Sequence, residues 1–325
     1  MNKLGVIVFN LGGPETLEQV KPFLFRLFSD PGIIRIRSDV LRKAVAYSIA
    51  TLRSPKSRGY YRKIGGGSPL RRITQEQAQA LRDELRWSGA HADVFVGMCT
   101  WHPFLADALD RVEQSGADRL VVLPLFPQYS VTTTGSGFAT LEALLEQRPR
   151  LAGLDIRWIR SWQKHPAYID AFAGLVEREL DRFGDRGNVH ILFSAHSIPE
   201  SYVKAGDPYL DQTRETVELM AERLGRRNPY RLAFQSKIGP VRWLGPSTND
   251  VIVELGRQGI DQVLVVPVSF VSEHIETLYE LDIQYRKVAS DAGISVFRRV
   301  PALNCDPTFI RGLRELVLNA PPEMT

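Results

Sequence analysis

The chain is 325 residues long, 44% hydrophobic and 24% charged, with a formal net charge of +4. That length holds one large or two ordinary α/β domains with ample core, and no run of about 18 apolar residues offers a membrane-spanning helix. Two cysteines, Cys99 and Cys305, lie far apart without a CxxC spacing, which argues against a disulfide framework and against a cysteine-held zinc or iron–sulfur site.

In chain order, the start "MNKLGVIVFNLGG" reads as a first strand and its turn rather than a signal peptide, so the expected compartment is the cytoplasm. From Ile33 to Lys63, nine basic residues (Arg35, Arg37, Arg42, Lys43, Arg53, Lys56, Arg58, Arg62 and Lys63) stand against one acid, Asp39, with isoleucine, valine, leucine and tyrosine between them. Such a basic amphipathic stretch suits peripheral contact with a membrane surface or with anionic ligand groups; a solvated helix face is the plainer alternative. No recognisable nucleic-acid-binding motif accompanies the charge, so nucleic acid is not an expected partner.

Strands are predicted at Leu4–Phe9, Val94–Met98 and Leu120–Leu125, then at Val189–Phe193, Leu232–Gln235 and Val263–Val268, with a weaker one at Ile294–Phe297. Amphipathic helices between them point to parallel sheets covered on both faces. The halves echo each other. "GADRLVVLPLF" and "GIDQVLVVPVS" share G-x-D, four apolar residues and a proline at one spacing, and "FNLGGP" and "FSAHSIP" both end a first strand in a polar turn. Duplication of one α/β unit is the better explanation of that matching order. The expected lobes are 1–161 and 162–300, followed by a C-terminal helix and tail, 301–325, that could pack on the first lobe.

Parallel sheets place ligands at the carboxyl ends of their strands, and two lobes are expected to enclose a cleft there. "HILFSAHSIPES" puts His196 one step beyond a core strand. The strand Val263–Val268 leads into "SFVSEHIETLYELDIQYRKVA", read as a helix opening near Ser272 with Glu273, Glu276 and Glu280 along one side. Favourable placement near a helix N-terminus explains Glu273 but not Glu280. A histidine beside carboxylates is either a general base with its orienting acid or an open site for a borderline divalent metal. The chain lacks a G-x-S-x-G elbow, and neither "LGGPET" nor "IGGGSP" is a nucleotide-binding loop.

The motifs "NLGGPET", "IGGGSPL", "LPLFPQYSVTTTGS", "LFSAHSIPESYVKAGDPY", "FQSKIGPVRWLGPST" and "VSEHIETLYELDIQY", in this order from about Lys3 to Leu318, resemble the ferrochelatase family. The resemblance implies two similar Rossmann-like lobes of the chelatase kind and insertion of Fe(II) into protoporphyrin or coproporphyrin, with release of two protons. It implies His196 and Glu276 as the catalytic or metal-holding pair, and Glu273, His274 and Glu280 as a proton or metal path. Gln284 stands in the same polar row, where an acid is more usual. Arg53, Tyr61, Ser68 and Trp243 match porphyrin-binding positions, although core packing alone would also account for Tyr61 and Trp243. The basic lip would meet a membrane surface, which suits a hydrophobic substrate.

Two departures from the family pattern stand out. "MCTWHP" places Cys99 and Thr100 where many relatives carry an Arg-Tyr or Arg-Trp pair, and the ending "PPEMT" lacks a cysteine-rich tail, so no [2Fe–2S] cluster and no permanently bound cofactor is expected. The competing readings are a cobalt or other tetrapyrrole chelatase, and a two-lobed haem or metal carrier without catalysis. The sequence leaves the oligomeric state open.

Overall fold

A computed structural model describes residues 3–34, 36–151, 153–237, 239 and 241–322. Arg35 of the basic stretch, Ile238 and Pro240 of the FQSKIGP motif, and both chain ends lie outside the described residues. Two compact units emerge. The first holds the described residues up to Phe126, Ser130–Ser161 and those from Leu313 onward; the second holds Pro127–Tyr129 and Trp162–Gly312.

The first unit is built on four parallel strands, β1 (Leu4–Asn10), β2 (Ala92–Met98), β3 (Arg119–Pro124) and β4 (Asp155–Trp158), in the order β2-β1-β3-β4. The second repeats the arrangement with β5 (His190–His196), β6 (Tyr230–Gln235), β7 (Gln262–Val266) and β8 (Val296–Arg299), ordered β6-β5-β7-β8. In each, the first strand sits between the second and third. β1 and β5 are each buried at six of their seven positions, because strands covered on both faces have no solvent side to offer. Phe9 and Phe193 are fully enclosed, each burial contributing about 2–3 kcal/mol before entropy is counted.

The sequence missed β4. Its residues Asp155-Ile-Arg-Trp mix charge with apolar groups, and Asp155 is exposed at the sheet edge, paired with Arg119 at 2.6 Å. The last strand also begins two residues later than predicted, at Val296.

Close packing shows why two glycines are where they are. A Cβ on Gly137 would lie 2.4 Å from the Phe9 ring, so only glycine lets the helix Ser136–Glu146 settle on β1. A Cβ on Gly67 would lie 2.0 Å from the Glu15 carbonyl oxygen. With Ser68 N–H donating to the Pro14 carbonyl at 2.7 Å, "NLGGPET" and "IGGGSPL" form one joint.

After the third strand of each unit the chain winds into a π-helix: Val131–Gly135 (π1) and Glu276–Tyr285 (π2). This corrects the expected α-helix from Ser272. Helical winding starts at Ile275, and Glu273 precedes it. Wider winding brings every fourth residue into line, so Thr277, Leu281 and Tyr285 make the buried row and Glu276, Glu280 and Gln284 the row beside it.

The basic stretch becomes a 25-residue helix, Asp39–Lys63, whose first turn is capped by Ser38 accepting from Leu41 N–H. Val40, Leu41, Tyr47 and Leu52 stand out from it, with Val40 80% and Leu52 81% exposed. No helix among the described residues is long and apolar enough to cross a membrane.

Candidate active site

His196 is the last residue of β5 and is held by its backbone. Its N–H donates to Ser269 Oγ at 2.9 Å, and its carbonyl accepts from the Tyr209 hydroxyl at 2.9 Å. The backbone is thus fixed from two elements while the imidazole stays 34% exposed. Its Nδ1 lies 3.4 Å from Glu276 Oε1, at ion-pair range rather than in a formed hydrogen bond. Phe270 flanks it edge-on, with ring centroids 6.2 Å apart.

Glu276 sits in the first turn of π2, and its other oxygen is 2.6 Å from His274 Nε2. His274 Nδ1 faces the Ser272 carbonyl at 2.9 Å. A carbonyl only accepts, so Nδ1 carries a proton. The short Nε2–carboxylate contact then needs a second proton. Burial raises the Glu276 carboxyl, but the His196 charge and the hydrogen bond from His274 outweigh it and hold the carboxyl down to about 2. Burial likewise opposes charge on His274, yet the bond to Glu276 raises its ring above the ordinary imidazole range. The geometry and these directions favour a protonated His274 that donates from both nitrogens, with the Glu276 carboxylate between the two histidine rings. His196, with Nδ1 toward that carboxylate, has its second nitrogen available as a base or a donor atom.

Glu280 lies one turn further along π2 and is fixed at the end of β6. Its Oε1 accepts from Ser236 N–H at 2.9 Å and from the Tyr285 hydroxyl at 2.9 Å; its Oε2 accepts from Ser236 Oγ at 2.5 Å and Gln235 Nε2 at 3.1 Å. The same Gln235 Nε2 donates to the Glu276 carbonyl at 3.1 Å, tying β6 to the start of π2. Glu273, expected in the same file, is drawn elsewhere. Its Oε1 accepts from Arg299 Nη1 at 2.8 Å and from Ala302 N–H at 2.9 Å, and its Oε2 accepts from the Thr277 hydroxyl. The structure brings His196, His274 and Glu276 together, holds Glu280 nearby on the same helix, and spends Glu273 on an internal ion pair.

Sequence reasoning passed over Ser269, Tyr209, Gln235, Ser236 and Arg299. Of these, Gln235 and Ser236 had a visible signal, because "FQS" ends a strand of the sheet that carries His196.

The expected ring-binding positions differ in character. Arg53 is half-buried, its guanidinium 5.8 Å from the centre of the Phe28 ring. Tyr61 is only 5% exposed and belongs to the core of its unit, while Ser68 is 9% exposed and its hydroxyl accepts from Leu70 N–H at 3.3 Å. Both are buried in this structure. Trp243, in the second unit, is half-buried and bridges by its backbone to Pro199. Cys99 lies just past the end of β2; burial, with Asp30 adding to it, pushes its thiol up to about 12, so it is a neutral thiol at the position where the resemblance led to the expectation of a cation. Thr100 beside it is buried.

A ferrochelatase family profile matches residues 3–320. The chain belongs to the ferrochelatase family. Curated ferrochelatases from Synechococcus sp. (strain JA-3-3Ab) and Gloeothece citriformis are 54% and 51% identical over 318 and 321 residues, covering 98% of this chain and 93% and 83% of the relatives. Among solved structures, SirB from Bacillus subtilis with Fe3+ superposes at TM-score 0.59 with 12% identity, covering 98% of this chain and 96% of SirB. A chelatase-like multidomain protein from Deinococcus radiodurans, DR2241, gives 0.56 and 15%, covering 99% of this chain and 56% of its own. These two likenesses are of fold, the two-lobed α/β architecture of chelatases. Membership in the family makes the chain an enzyme, and His196 and Glu276 both lie in the second unit.

Proposed function

We propose that this protein inserts Fe(II) into protoporphyrin IX or coproporphyrin III, using His196 and Glu276. Insertion replaces two pyrrole N–H protons by one dication while the hydrated metal sheds water. The reaction needs a proton acceptor and weak ligands that let the metal go. Whenever its ring is unprotonated, His196 offers one free nitrogen, which serves as base or ligand but not as both at once. Glu276, kept ionised by His274, supplies negative charge that favours an approaching cation or stabilises the imidazolium formed when His196 takes a proton. Fe(II) and porphyrin are substrates here, and no resident cofactor enters the scheme.

The observation that carries this reading is the convergence of His196, Glu276 and His274 within 3.4 and 2.6 Å at the carboxyl ends of neighbouring strands β5 and β7. Glu280 then serves as a fixed carboxylate along the approach. Arg53 and Trp243 are the proposed ring-binding groups, with Tyr61 and Ser68 supporting the first unit's lip. The exposed apolar residues on the basic helix Asp39–Lys63 are the proposed point of peripheral membrane contact.

The test is anaerobic incubation with Fe(II) and each porphyrin in turn, following metalloporphyrin absorbance, with Co(II) as a parallel arm. Turnover beyond one equivalent is expected with Fe(II). A single stoichiometric loading would make the protein a carrier, and the faster porphyrin names the substrate.

A further inference from the structure

Arg299, at the end of β8, donates four hydrogen bonds. Its side chain is 8% exposed. Nε and Nη2 grip Asp282 through both carboxylate oxygens at 2.9 and 2.7 Å, and Nη1 reaches Glu273 at 2.8 Å and the Val300 carbonyl at 3.2 Å. Asp282 lies in the middle of π2, and Glu273 lies just before it. One guanidinium therefore clamps the helix and the segment leading into it to the edge strand of the sheet. Glu273 in turn accepts from Ala302 N–H and the Thr277 hydroxyl, so the clamp grips π2 in its first turn as well as its middle.

The reaction chemistry does not account for that investment. A buried ion pair stabilises little by itself, since desolvation cancels most of the attraction. What it does well is fix geometry, because a bidentate guanidinium–carboxylate pair has one orientation. π2 needs such fixing. Ten residues of i→i+5 winding are rare, and the usual alternative is an ordinary α-helix. Relaxing to i→i+4 winding would turn Glu276 about the axis relative to Asp282 and carry its carboxylate away from His196. The contacts from the end of β6, Glu280 with Ser236 and Gln235 and the Gln235 bond to the Glu276 carbonyl, act on the side of the helix away from Asp282.

We propose that the Glu273–Arg299–Asp282 clamp holds π2 in its wide winding, and so holds Glu276 opposite His196. Arg299 and Asp282 are positioning residues that act through Glu276. This rests on Glu276 taking part in metal insertion. A clamp of this kind governs the chemical step and leaves ring binding alone.

The experiment uses Asp282→Asn, which keeps Arg299 paired to Glu273 and so preserves folding, alone and in a Glu276→Gln background, with Arg299→Lys as a second probe. Asp282→Asn should lower kcat about tenfold or more with KM for porphyrin unchanged, the scale on which supporting contacts to a site act. Arg299→Lys, which keeps the charge but not the two-point grip, should fall between wild type and Asp282→Asn. In the Glu276→Gln background, Asp282→Asn should add almost nothing, because the group it positions is already disabled. Wild-type kcat in Asp282→Asn, or a loss that multiplies in full with Glu276→Gln, overturns the clamp. A fully active Glu276→Gln overturns both the site and the clamp, and that variant is measured separately, so the two failures are distinct.

Discussion

The two units share a sheet order, a seven-residue central strand and a π-helix after the third strand, yet they use the same positions in opposite ways. Asn10 ends β1 as His196 ends β5. Asn10 is 6% exposed and spends its side chain within the unit, Oδ1 accepting from Leu11 N–H at 2.8 Å and Nδ2 donating to Thr74 Oγ1 at 3.5 Å. His196 keeps its ring a third exposed and pointed at a carboxylate. π1 carries threonine hydroxyls, and π2 carries the acids. The two units share the backbone that places side chains at strand ends, and the proposed chemistry falls on one of them. A strand-end position is an opportunity, and the residue installed there decides whether it becomes a site or a brace.

The sharpest way to break this contrast is His196→Ala. Insertion should fall by about a hundredfold or more, the usual scale for losing a positioned acid–base group, while porphyrin affinity by fluorescence quenching and thermal stability hold. Near-normal turnover would make His196 a brace like Asn10. Glu276→Gln should lose a comparable amount, and the double variant should lose less than the product of the two, since both groups serve one step.

A second histidine sharpens the comparison within β5 itself. His190 begins the strand and is 7% exposed, and its Nε2 has no hydrogen-bond partner among the described residues. Burial first, and the nearby Arg231 charge second, hold its ring down to about 4. A depressed histidine is neutral when folded, so the unfolded chain takes up the proton first as pH falls below about 6.5. Stability contributed by the neutral ring should be present at pH 7.5 and decline toward pH 4, with about 2 kcal/mol gone by pH 5. Urea melts of wild type and His190→Gln at pH 7.5 and 5.0 measure it, and parallel pH dependence in the two proteins would refute it.

Asn10→Ala tests the bracing side. It should cost about 1 kcal/mol of stability for lost buried hydrogen bonds, with insertion per folded molecule close to wild type. A large rate loss at unchanged stability would put chemistry in the first unit after all.

The smallest effect is expected on the basic helix. Val40→Ser with Leu52→Ser should weaken salt-sensitive sedimentation with anionic vesicles. Arg42 is best left intact in that test. It is consumed internally, donating to the Ser29 and Ile36 carbonyls at 2.8 and 2.9 Å. Equal sedimentation of variant and wild type would remove the membrane role.

Much of the fold was legible because buried parallel strands leave unbroken apolar runs, as in Val6–Phe9 and Val263–Val266, and because the two halves repeat those runs at one spacing. β4 was illegible for the converse reason: an edge strand carrying Asp155 and Arg157 has no such run. The histidine and Glu276 were readable from their motifs. The winding of π2 was not, since acids at three- and seven-residue spacing fit an α-helix too, and only tertiary contacts choose between them. The fate of Glu273 was equally hidden. Its partner Arg299 lies 26 residues on, beyond the reach of any periodicity that would pair the two side chains.

The last helix, Pro307–Leu318, has a consequence for how the protein is made. From Leu313 onward the chain belongs to the first unit, where Arg314 pairs with Glu84 across 230 residues at 3.1 Å and Arg157 donates to the Ala320 carbonyl at 2.6 Å. Domains emerging from a ribosome generally fold in order, N-terminal unit first. Here the unit synthesised first is the one finished last. Its sheet is complete when Trp158 has emerged, but its surface waits through the whole synthesis of the second unit for the final helix to arrive.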